Sequence, residues 1–133
     1  MYLVDTNVLS EARRGSSEAR DWLRSVDPDT IYLSVITLGE IMKGIVLKQR
    51  TDPRAAAPLL QWLVQLRHDH VDRILPITDG VALEWGRLAA KRPRGMADSL
   101  IAATAAVYGK TIVTRNVVDF EDTRLPVINP WQL

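Results

Sequence analysis

The sequence predicts a three-layer α/β domain, in which helices cover both faces of a parallel β-sheet. Short apolar runs of the kind that form buried strands alternate with segments of helical periodicity, and this alternation is typical of parallel sheets. The chain has 133 residues, of which 47% are hydrophobic, and this length suits one core of ordinary size. We therefore expect a single domain that spans residues 1–133.

Five runs have the length and composition of β-strands. The third of them contains Pro76, which lacks the N–H group that a central strand needs for its hydrogen-bond ladder. We therefore place this strand at an edge of the sheet. The five predicted strands are Tyr2–Val4, Ile31–Leu33, Ile74–Ile77, Thr111–Val113 and Val127–Ile128.

Helical patterns lie between most of these strands. The first follows Ser34, a good N-cap residue, and the next is expected after the interruptions at Asp52-Pro53 and Ala57-Pro58. The segment from Met96 to Tyr108 is apolar nearly all round and stops at Gly109, which suits a helix C-terminus. The other helices are indicated by apolar residues at helical spacing: Leu38, Ile41, Met42 and Ile45; Leu59, Trp62, Leu63 and Leu66; Val81, Trp85, Leu88 and Ala89.

Composition excludes several kinds of site. The chain has no cysteine, which removes disulfides, thiolate-bound zinc, iron–sulfur clusters and cysteine nucleophiles. No apolar run reaches the ~18 residues of a membrane span, and the first residues do not resemble a signal peptide, so we expect a cytoplasmic protein without membrane contact. The net charge of +1 excludes a polycation, but a local basic patch would suffice to contact RNA phosphates.

Two aspartates follow predicted strands. Asp5 comes directly after the first strand, and Asp119 lies a few residues beyond the fourth. Loops at the carboxyl ends of the strands form the ligand crevice of an open parallel sheet. Structural explanations compete, since Asp5 also fits the N-cap of a following helix and Asp119 fits a turn. Glu121 and Asp122 are close enough in sequence to compete for the role of Asp119.

Glu40 lies within the helix that follows Ser34. An ion pair with Lys43 is the ordinary structural explanation for such a residue. Gly39 and Gly44 lie near it in the helix interior, where each glycine costs about 1 kcal/mol relative to alanine. That cost suggests that another group approaches the helix closely at this point.

Asp98 is the most informative acid. Residues three, four and seven positions later are Ile101, Ala102 and Ala105, so Asp98 shares the apolar face of the most buried helix. An ionised carboxylate there would be neutralised unless it met a cation or a metal ion. Its position near the helix N-terminus offers free N–H groups as a structural alternative, and both explanations can hold together. We favour a functional role.

The four acids are predicted to converge at one edge of the sheet. Four carboxylates in one pocket would repel each other unless a cation neutralised them. Ligands that are all oxygen select a hard ion, Mg²⁺ or Mn²⁺. Zinc is disfavoured, because the chain has no cysteine and its only two histidines are two residues apart and point to different helix faces.

Four short motifs carry these acids and occur in order along the chain. They are Val4-Asp5-Thr6-Asn7; Thr37-Leu38-Gly39-Glu40-Ile41 with Gly44; Ala97-Asp98 with Ile101-Ala102-Ala103-Thr104-Ala105; and Thr114-Arg115-Asn116 with Asp119-Phe120. This set resembles the PIN-domain ribonucleases and, within them, the VapC/FitB-type toxins of bacterial toxin–antitoxin pairs. The resemblance extends from Val4 to Asn129-Pro130-Trp131, which is almost the whole chain.

The resemblance implies a PIN-like fold with a five-stranded parallel sheet in the order 3-2-1-4-5. It assigns the acidic quartet of the family to the four acids above and the polar position after the fourth strand to Thr114 and Asn116. It also implies cleavage of RNA with Mg²⁺ or Mn²⁺, a homodimer, and a small cognate antitoxin that silences the toxin.

Our mechanistic hypothesis is metal-assisted hydrolysis of a phosphodiester bond. The ion would be held mainly by Asp5 and Asp98, with help from Asp119, and would lower the pKa of a bound water. Glu40 would orient or deprotonate that water.

Arginine side chains are candidates for phosphate contacts. Arg115 lies beside the acids, and Arg13-Arg14 is expected after the first helix. A second basic group has an equally good structural explanation as a solvated helix face: Arg87, Lys91, Arg92 and Arg94.

Two other functions compete with the nuclease. A binding module could keep the acidic pocket without turnover, because four acids show capacity and not rate. A phosphoacceptor receiver domain is also a small Mg²⁺-binding α/β fold, but it needs an acidic pair after the first strand and a lysine after the last. Here Thr6 and Asn7 follow Asp5, and Lys110 precedes the fourth strand, which disfavours a receiver domain.

Overall fold

The structure is a computed structural model that describes all residues from 1 to 133. Helices and strands alternate along most of the chain, with two 3₁₀ segments at Pro28–Thr30 and Val117–Thr123. The strands are β1 (Tyr2–Val4), β2 (Ile31–Ser34), β3 (Ile74–Leu75), β4 (Thr111–Val113) and β5 (Val127–Ile128). The helices are α1 (Thr6–Arg14), α2 (Ser17–Ser25), α3 (Val35–Thr51), α4 (Pro53–Asp69), α5 (Asp79–Lys91) and α6 (Met96–Tyr108).

All five strands form one parallel sheet in the order β3-β2-β1-β4-β5. This order confirms the topology that the PIN resemblance implied and the edge position that Pro76 predicted. At the centre of the sheet, Leu3 of β1 pairs with Tyr32 of β2 on one side and with Ile112 of β4 on the other. The residues that follow β1 and β4 are therefore neighbours at the carboxyl ends of these strands.

The core consists of two hydrophobic clusters, one on each face of the sheet. Successive strand residues point to opposite faces, so Leu3 and Val4 belong to different clusters. The cluster around Val4 contains residues of α1, α2, α3 and α4, and the cluster around Leu3 contains residues of α5 and α6. Helices thus cover both faces, which confirms the predicted three layers.

Helix α4 begins earlier than predicted. It starts at Pro53, and the side chain of Asp52 caps it by accepting a hydrogen bond from the backbone N–H of Ala55. Pro58 lies inside the helix and does not interrupt it. Pro53 is favourable in a first turn, and the burial of Leu63 and Leu66 further along α4 outweighs the backbone hydrogen bond that Pro58 removes.

Three further differences concern short or amphipathic segments. Helices α1 and α2 were not delimited from the sequence; Gly15, in a left-handed conformation with φ 110°, ends α1 and allows α2 to begin at Ser17. Strand β3 ends at Leu75, before Pro76. Met42, one of the apolar residues whose spacing indicated α3, is 42% exposed. None of the helices combines the length and the apolar character needed to cross a bilayer.

Candidate active site

Asp5 is buried where β1 ends, beside the end of β4. Its carboxylate accepts a hydrogen bond of 2.8 Å from the hydroxyl of Thr114, which is fully buried. The side-chain amide of Asn7 donates to the same oxygen, Oδ2, at 3.2 Å. The other oxygen accepts from the backbone N–H of Thr6 at 2.8 Å and so caps α1. The capping and site explanations of Asp5 therefore describe the same geometry.

Glu40 reaches the same edge of the sheet from α3. Its Oε1 atom accepts a hydrogen bond of 2.7 Å from the hydroxyl of Thr6, and the hydroxyl of Thr37 lies 3.1 Å from that of Thr6. The alternative ion pair with Lys43 is absent, since the five ion pairs of the chain include neither residue. Thr6 thus connects Glu40 to the residue that follows Asp5.

The expectation that another group approaches α3 beside Glu40 is wrong within this chain. A Cβ atom added at Gly39 or at Gly44 would meet no atom within 4 Å. Gly44 instead lines an open groove together with residues of α1 and α4. The two glycines therefore leave this part of α3 uncovered.

Asp98 lies in the first turn of α6, half-buried above Ile101, Ala102 and Ala105. Burial, followed by the nearby charges of Asp5 and Asp119, raises the pKa of its carboxyl group to about 6. The carboxyl group of Asp98 also shares a hydrogen bond with that of Asp119. Without a cation, the side chain thus keeps its proton up to about pH 6 and avoids the unfavourable charge below that pH.

The structure distinguishes Asp119 from the two other acids of its segment, Glu121 and Asp122. Glu121 is exposed to solvent, whereas Asp122 forms ion pairs with Arg92 and Arg94. A hydrogen bond from Arg94 holds the pKa of the Asp122 carboxyl group below its usual value. Among the three acids, it is Asp119 that contacts Asp98.

Arg94 fixes the segment that carries Asp119. Its side chain is only 1% exposed, and it donates a hydrogen bond of 3.0 Å to the backbone carbonyl of Asp119. Arg92 donates to the carbonyl of Val118 at 2.9 Å. Arg92 and Arg94 were candidates for phosphate contacts; the burial of Arg94 argues against that role, whereas the side chain of Arg92 is 37% exposed and its phosphate contact stays a prediction. Sequence reasoning missed their positioning role.

Thr114 and Asn116 contribute in different ways. The Thr114 hydroxyl binds Asp5, whereas the backbone N–H of Asn116 donates to that hydroxyl at 3.0 Å. Asn7 belongs to the first motif but had no predicted role. It connects Asp5 to the loop after β4, because its amide nitrogen donates to Asp5 and its oxygen accepts from the backbone N–H of Arg115 at 3.2 Å. The sequence signal that could have predicted this role is the position of Asn7, two residues after the aspartate that follows β1.

Arg13, Arg14 and Arg115 line pockets that also contain acids of the quartet, whereas Arg87 forms an exposed ion pair with Glu84 on α5. Arg13 and Arg14 occupy the last turn of α1 rather than the segment after it, and they line a groove of about 590 Å³ that also contains Glu40. Arg14 is paired with Glu11 at 2.9 Å. Arg115 lines a second pocket together with Asp119, and its guanidinium carbon lies over Trp131, 4.7 Å from the ring centroid.

The comparisons with known proteins agree with this geometry. A family model described as the PIN domain matches residues 2–124 of the chain. The chain belongs to the PIN-domain family. The VapC ribonuclease Y4jK of Sinorhizobium fredii is 31% identical over 99% of each chain. The toxin FitB of Neisseria gonorrhoeae is 32% identical over 98% of this chain and 99% of FitB.

A solved structure extends the likeness to three dimensions. The crystal structure of FitAcB from Neisseria gonorrhoeae is 32% identical to this chain and superposes on it with a TM-score of 0.92, with full coverage of both chains. These findings confirm the family that the four sequence motifs indicated. This PIN domain therefore shares its fold and almost its whole length with proteins named as a ribonuclease and as a toxin.

The acidic site of this PIN domain has the donor set of a hard divalent cation. Burial raises the pKa of Asp5, and the charges of Glu40 and Asp119 add to that effect. None of the five ion pairs in the chain involves any of the four acids. No group of three or more acids or histidines is arranged closely enough to enclose an ion. One or two carboxylates with water as the remaining ligands suit Mg²⁺, so the residues fit such an ion.

Proposed function

We propose that this chain is a metal-dependent endoribonuclease that hydrolyses phosphodiester bonds of RNA and acts as the toxin of a type II toxin–antitoxin pair. The observation that carries the proposal is the convergence of Asp5, Glu40, Asp98 and Asp119 without a basic partner from the chain. The names of the relatives Y4jK and FitB support the same activity. Residues 1–133 would act as one domain.

In this proposal, Asp5 and Asp98 are the main ligands of Mg²⁺, or alternatively Mn²⁺, Asp119 assists them, and water supplies the remaining ligands. Such an ion lowers the pKa of water and offsets the negative charge that develops on a phosphate during hydrolysis. Thr114 and Asn7 keep the Asp5 carboxylate in one orientation through hydrogen bonds. Arg94 keeps the backbone of Asp119 in place.

Glu40 is proposed to orient the attacking water and accept its proton. The Thr6 hydroxyl binds only its Oε1 atom, so the second oxygen is free to contact water. Glu40 is also the exposed member of the quartet, which suits a group that must exchange a proton with solvent after each turnover.

RNA is proposed to lie along the two basic surfaces that flank the acids. Arg13 and Arg14 line the groove that contains Glu40, and Arg115 lines a second pocket together with Asp119. Contacts between arginine and phosphate weaken as salt increases. The apparent KM for RNA should therefore rise with KCl concentration, and a KM that does not depend on salt would remove these arginines from the proposal.

The test is cleavage of a mixed RNA pool by purified protein in Mg²⁺, in Mn²⁺ and in EDTA, together with the Asp98→Asn variant prepared in the same way. We expect cleavage only with a divalent ion and only with Asp98 intact. Cleavage that persists in EDTA, or that the variant retains in full, would contradict the proposal. Metal binding without cleavage of any RNA would instead favour the silent binding module.

We further propose a homodimer and a cognate antitoxin as partners. Exposed apolar side chains one helical turn apart support the homodimer: Met42 and Val46 on α3, and Leu60 and Val64 on α4. The antitoxin is supported by the relative named as a toxin. Light scattering should give twice the monomer mass for the wild type and the monomer mass for Val46→Glu. A monomeric wild type at micromolar concentration would contradict the dimer.

A further inference from the structure

We propose that a polar pocket beside Asp119 binds one unstacked base of the RNA next to the cleaved bond. This inference rests on the proposed nuclease function and names the part of the substrate that its site recognises. The loop after β4 and the last residues of the chain line this open pocket, which has a volume of about 310 Å³. Its lining includes Asp119 itself, so an RNA whose phosphate reaches the acids places a neighbouring nucleotide here.

The polar groups of this pocket are mainly side-chain amides. Asn116, Asn129 and Gln132 all line it, and each amide offers both hydrogen-bond donors and acceptors. The oxygen of Asn129 accepts from the backbone N–H of Trp131 at 2.9 Å, which fixes the orientation of its amide and leaves its NH₂ group free to donate. The side chains of Asn116 and Gln132 take part in none of the hydrogen bonds within the chain. These free amides match the hydrogen-bonding edge of a base.

The guanidinium group of Arg115, which lines the pocket, lies over the ring of Trp131. The Arg115 guanidinium carbon lies 4.7 Å from the centroid of the Trp131 ring, and Arg115 forms no ion pair. The positive charge of Arg115 makes a small contribution to the lowered pKa of Glu18. A guanidinium group in this position can stack on a base or contact an adjacent phosphate.

The pocket is attached rigidly to the acidic site. The backbone N–H of Arg115 donates to Asn7, and that of Asn116 donates to Thr114. Asn7 and Thr114 are the two residues whose side chains bind Oδ2 of Asp5. A base seated in the pocket is therefore held at a constant distance from the carboxylates, which is what selection of a cleavage position requires.

The first test reads the cleavage preference of the Gln132→Ala variant on an RNA with randomised sequence. We expect the wild type to prefer one base at one position next to the cleaved bond, and the variant to lose this preference by about tenfold while it still cleaves RNA. Gln61→Ala, a matched change of an exposed glutamine on α4, should leave the preference unchanged. An identical preference in Gln132→Ala and the wild type would overturn the proposal.

The second test does not depend on catalysis. Side-chain amide signals of the wild-type protein in EDTA are followed by ¹⁵N NMR as each of the four nucleoside 5′-monophosphates is added. We expect at least one nucleotide to shift the signals of Asn116, Asn129 and Gln132, with the signal of Gln61 unchanged. If no nucleotide at millimolar concentration shifts them, the pocket is not a base-binding site.

The two tests also separate this inference from the nuclease proposal. Nucleotide-induced shifts in a protein that cleaves no RNA would support the pocket and contradict the nuclease. Metal-dependent cleavage, with no shifts and with an unchanged preference in Gln132→Ala, would support the nuclease and overturn the pocket.

Discussion

Asp119 and Asp122 lie in the same 3₁₀ segment, three residues apart, in opposite electrostatic surroundings. Asp122 meets the guanidinium groups of Arg92 and Arg94, and the hydrogen bond from Arg94 is the main reason that its pKa is lowered. Asp119 instead meets the carboxyl group of Asp98, whose pKa is raised mainly by burial. An acid that the chain itself neutralises stabilises the fold, whereas acids that the chain leaves without a cation are available to bind one from solution.

The largest expected effect of this difference is on RNA cleavage. Replacing Asp5 by Asn removes a charge that no basic side chain compensates, so we expect the rate to fall by roughly 10²–10³-fold while the fold is retained. Asp122→Asn, the matched change outside the quartet, should reduce the rate by less than about tenfold because it removes no carboxylate that contacts Asp98. If both variants lost the same factor in cleavage rate at the same Mg²⁺ concentration, the proposed difference between the quartet and Asp122 would be wrong.

The next effect is on stability and concerns Arg94. Arg94→Met removes a charged donor from the backbone carbonyl of Asp119 in a buried position. Loss of such a hydrogen bond should lower the free energy of unfolding by about 1.5–3 kcal/mol, as measured by urea denaturation. Arg87→Met, which breaks an exposed pair with Glu84, should change it by less than about 1 kcal/mol. A stable Arg94→Met protein would show that the segment around Asp119 does not depend on this clamp.

The pH dependence of stability should have opposite signs for the two regions. The pKa of Asp98 rises from 3.8 to about 6 on folding, so metal-free protein should lose stability as pH rises from about 4 to 6, because folding opposes ionisation. The pKa of Asp122 is lowered on folding, so its contribution should be lost as pH falls below 3.8.

Thermal denaturation in EDTA between pH 3 and pH 7 measures both effects. Asp98→Asn should reduce the slope between about pH 4 and 6, while Asp5, whose pKa burial also raises, keeps part of it; Asp122→Asn should change the acid limb alone. A wild-type melting temperature that rises between pH 4 and pH 6 while the Asp98→Asn curve has the same slope would contradict the assignment of Asp98.

The smallest effect concerns the helix that carries Glu40. Because a Cβ atom at Gly39 or Gly44 would meet nothing, Gly39→Ala and Gly44→Ala should each raise the free energy of unfolding by about 0.5–1 kcal/mol. Such a gain would show that Glu40 lies on an open face. Destabilisation by either alanine would instead indicate a close contact with α3.

The elements that the sequence predicted well end at strong local signals. Helix α6 has the predicted bounds, Met96–Tyr108, because Gly109 adopts the left-handed conformation with φ 65° that stops it. The start of α4 was predicted too late because Pro58 indicates an interruption in the sequence pattern. In the structure Pro58 lies inside the helix, which is stabilised by its buried residues. Local spacing cannot report how much packing energy a distant partner supplies.

The candidate site shows the same limit. Four acids in ordered motifs indicated convergence, but the choice among Asp119, Glu121 and Asp122 depends on Arg94, which lies 25 residues before Asp119. The roles of Thr6 and Asn7 depend on contacts with Glu40 and Arg115 across the sheet edge. These contacts follow from strand order, which the spacing of residues along one chain does not encode by itself.

The most direct measurement is the melting temperature of metal-free protein as Mg²⁺ or Mn²⁺ is added to the wild type, Asp98→Asn and Asp122→Asn. A ligand that binds only the folded state stabilises it by about 2.7 kcal/mol at about 100 times Kd. Because the four acids have no basic partner, the ion should raise the melting temperature of the wild type and of Asp122→Asn. It should raise that of Asp98→Asn much less. An equal response in all three proteins, or none in the wild type, would contradict a divalent ion at this site.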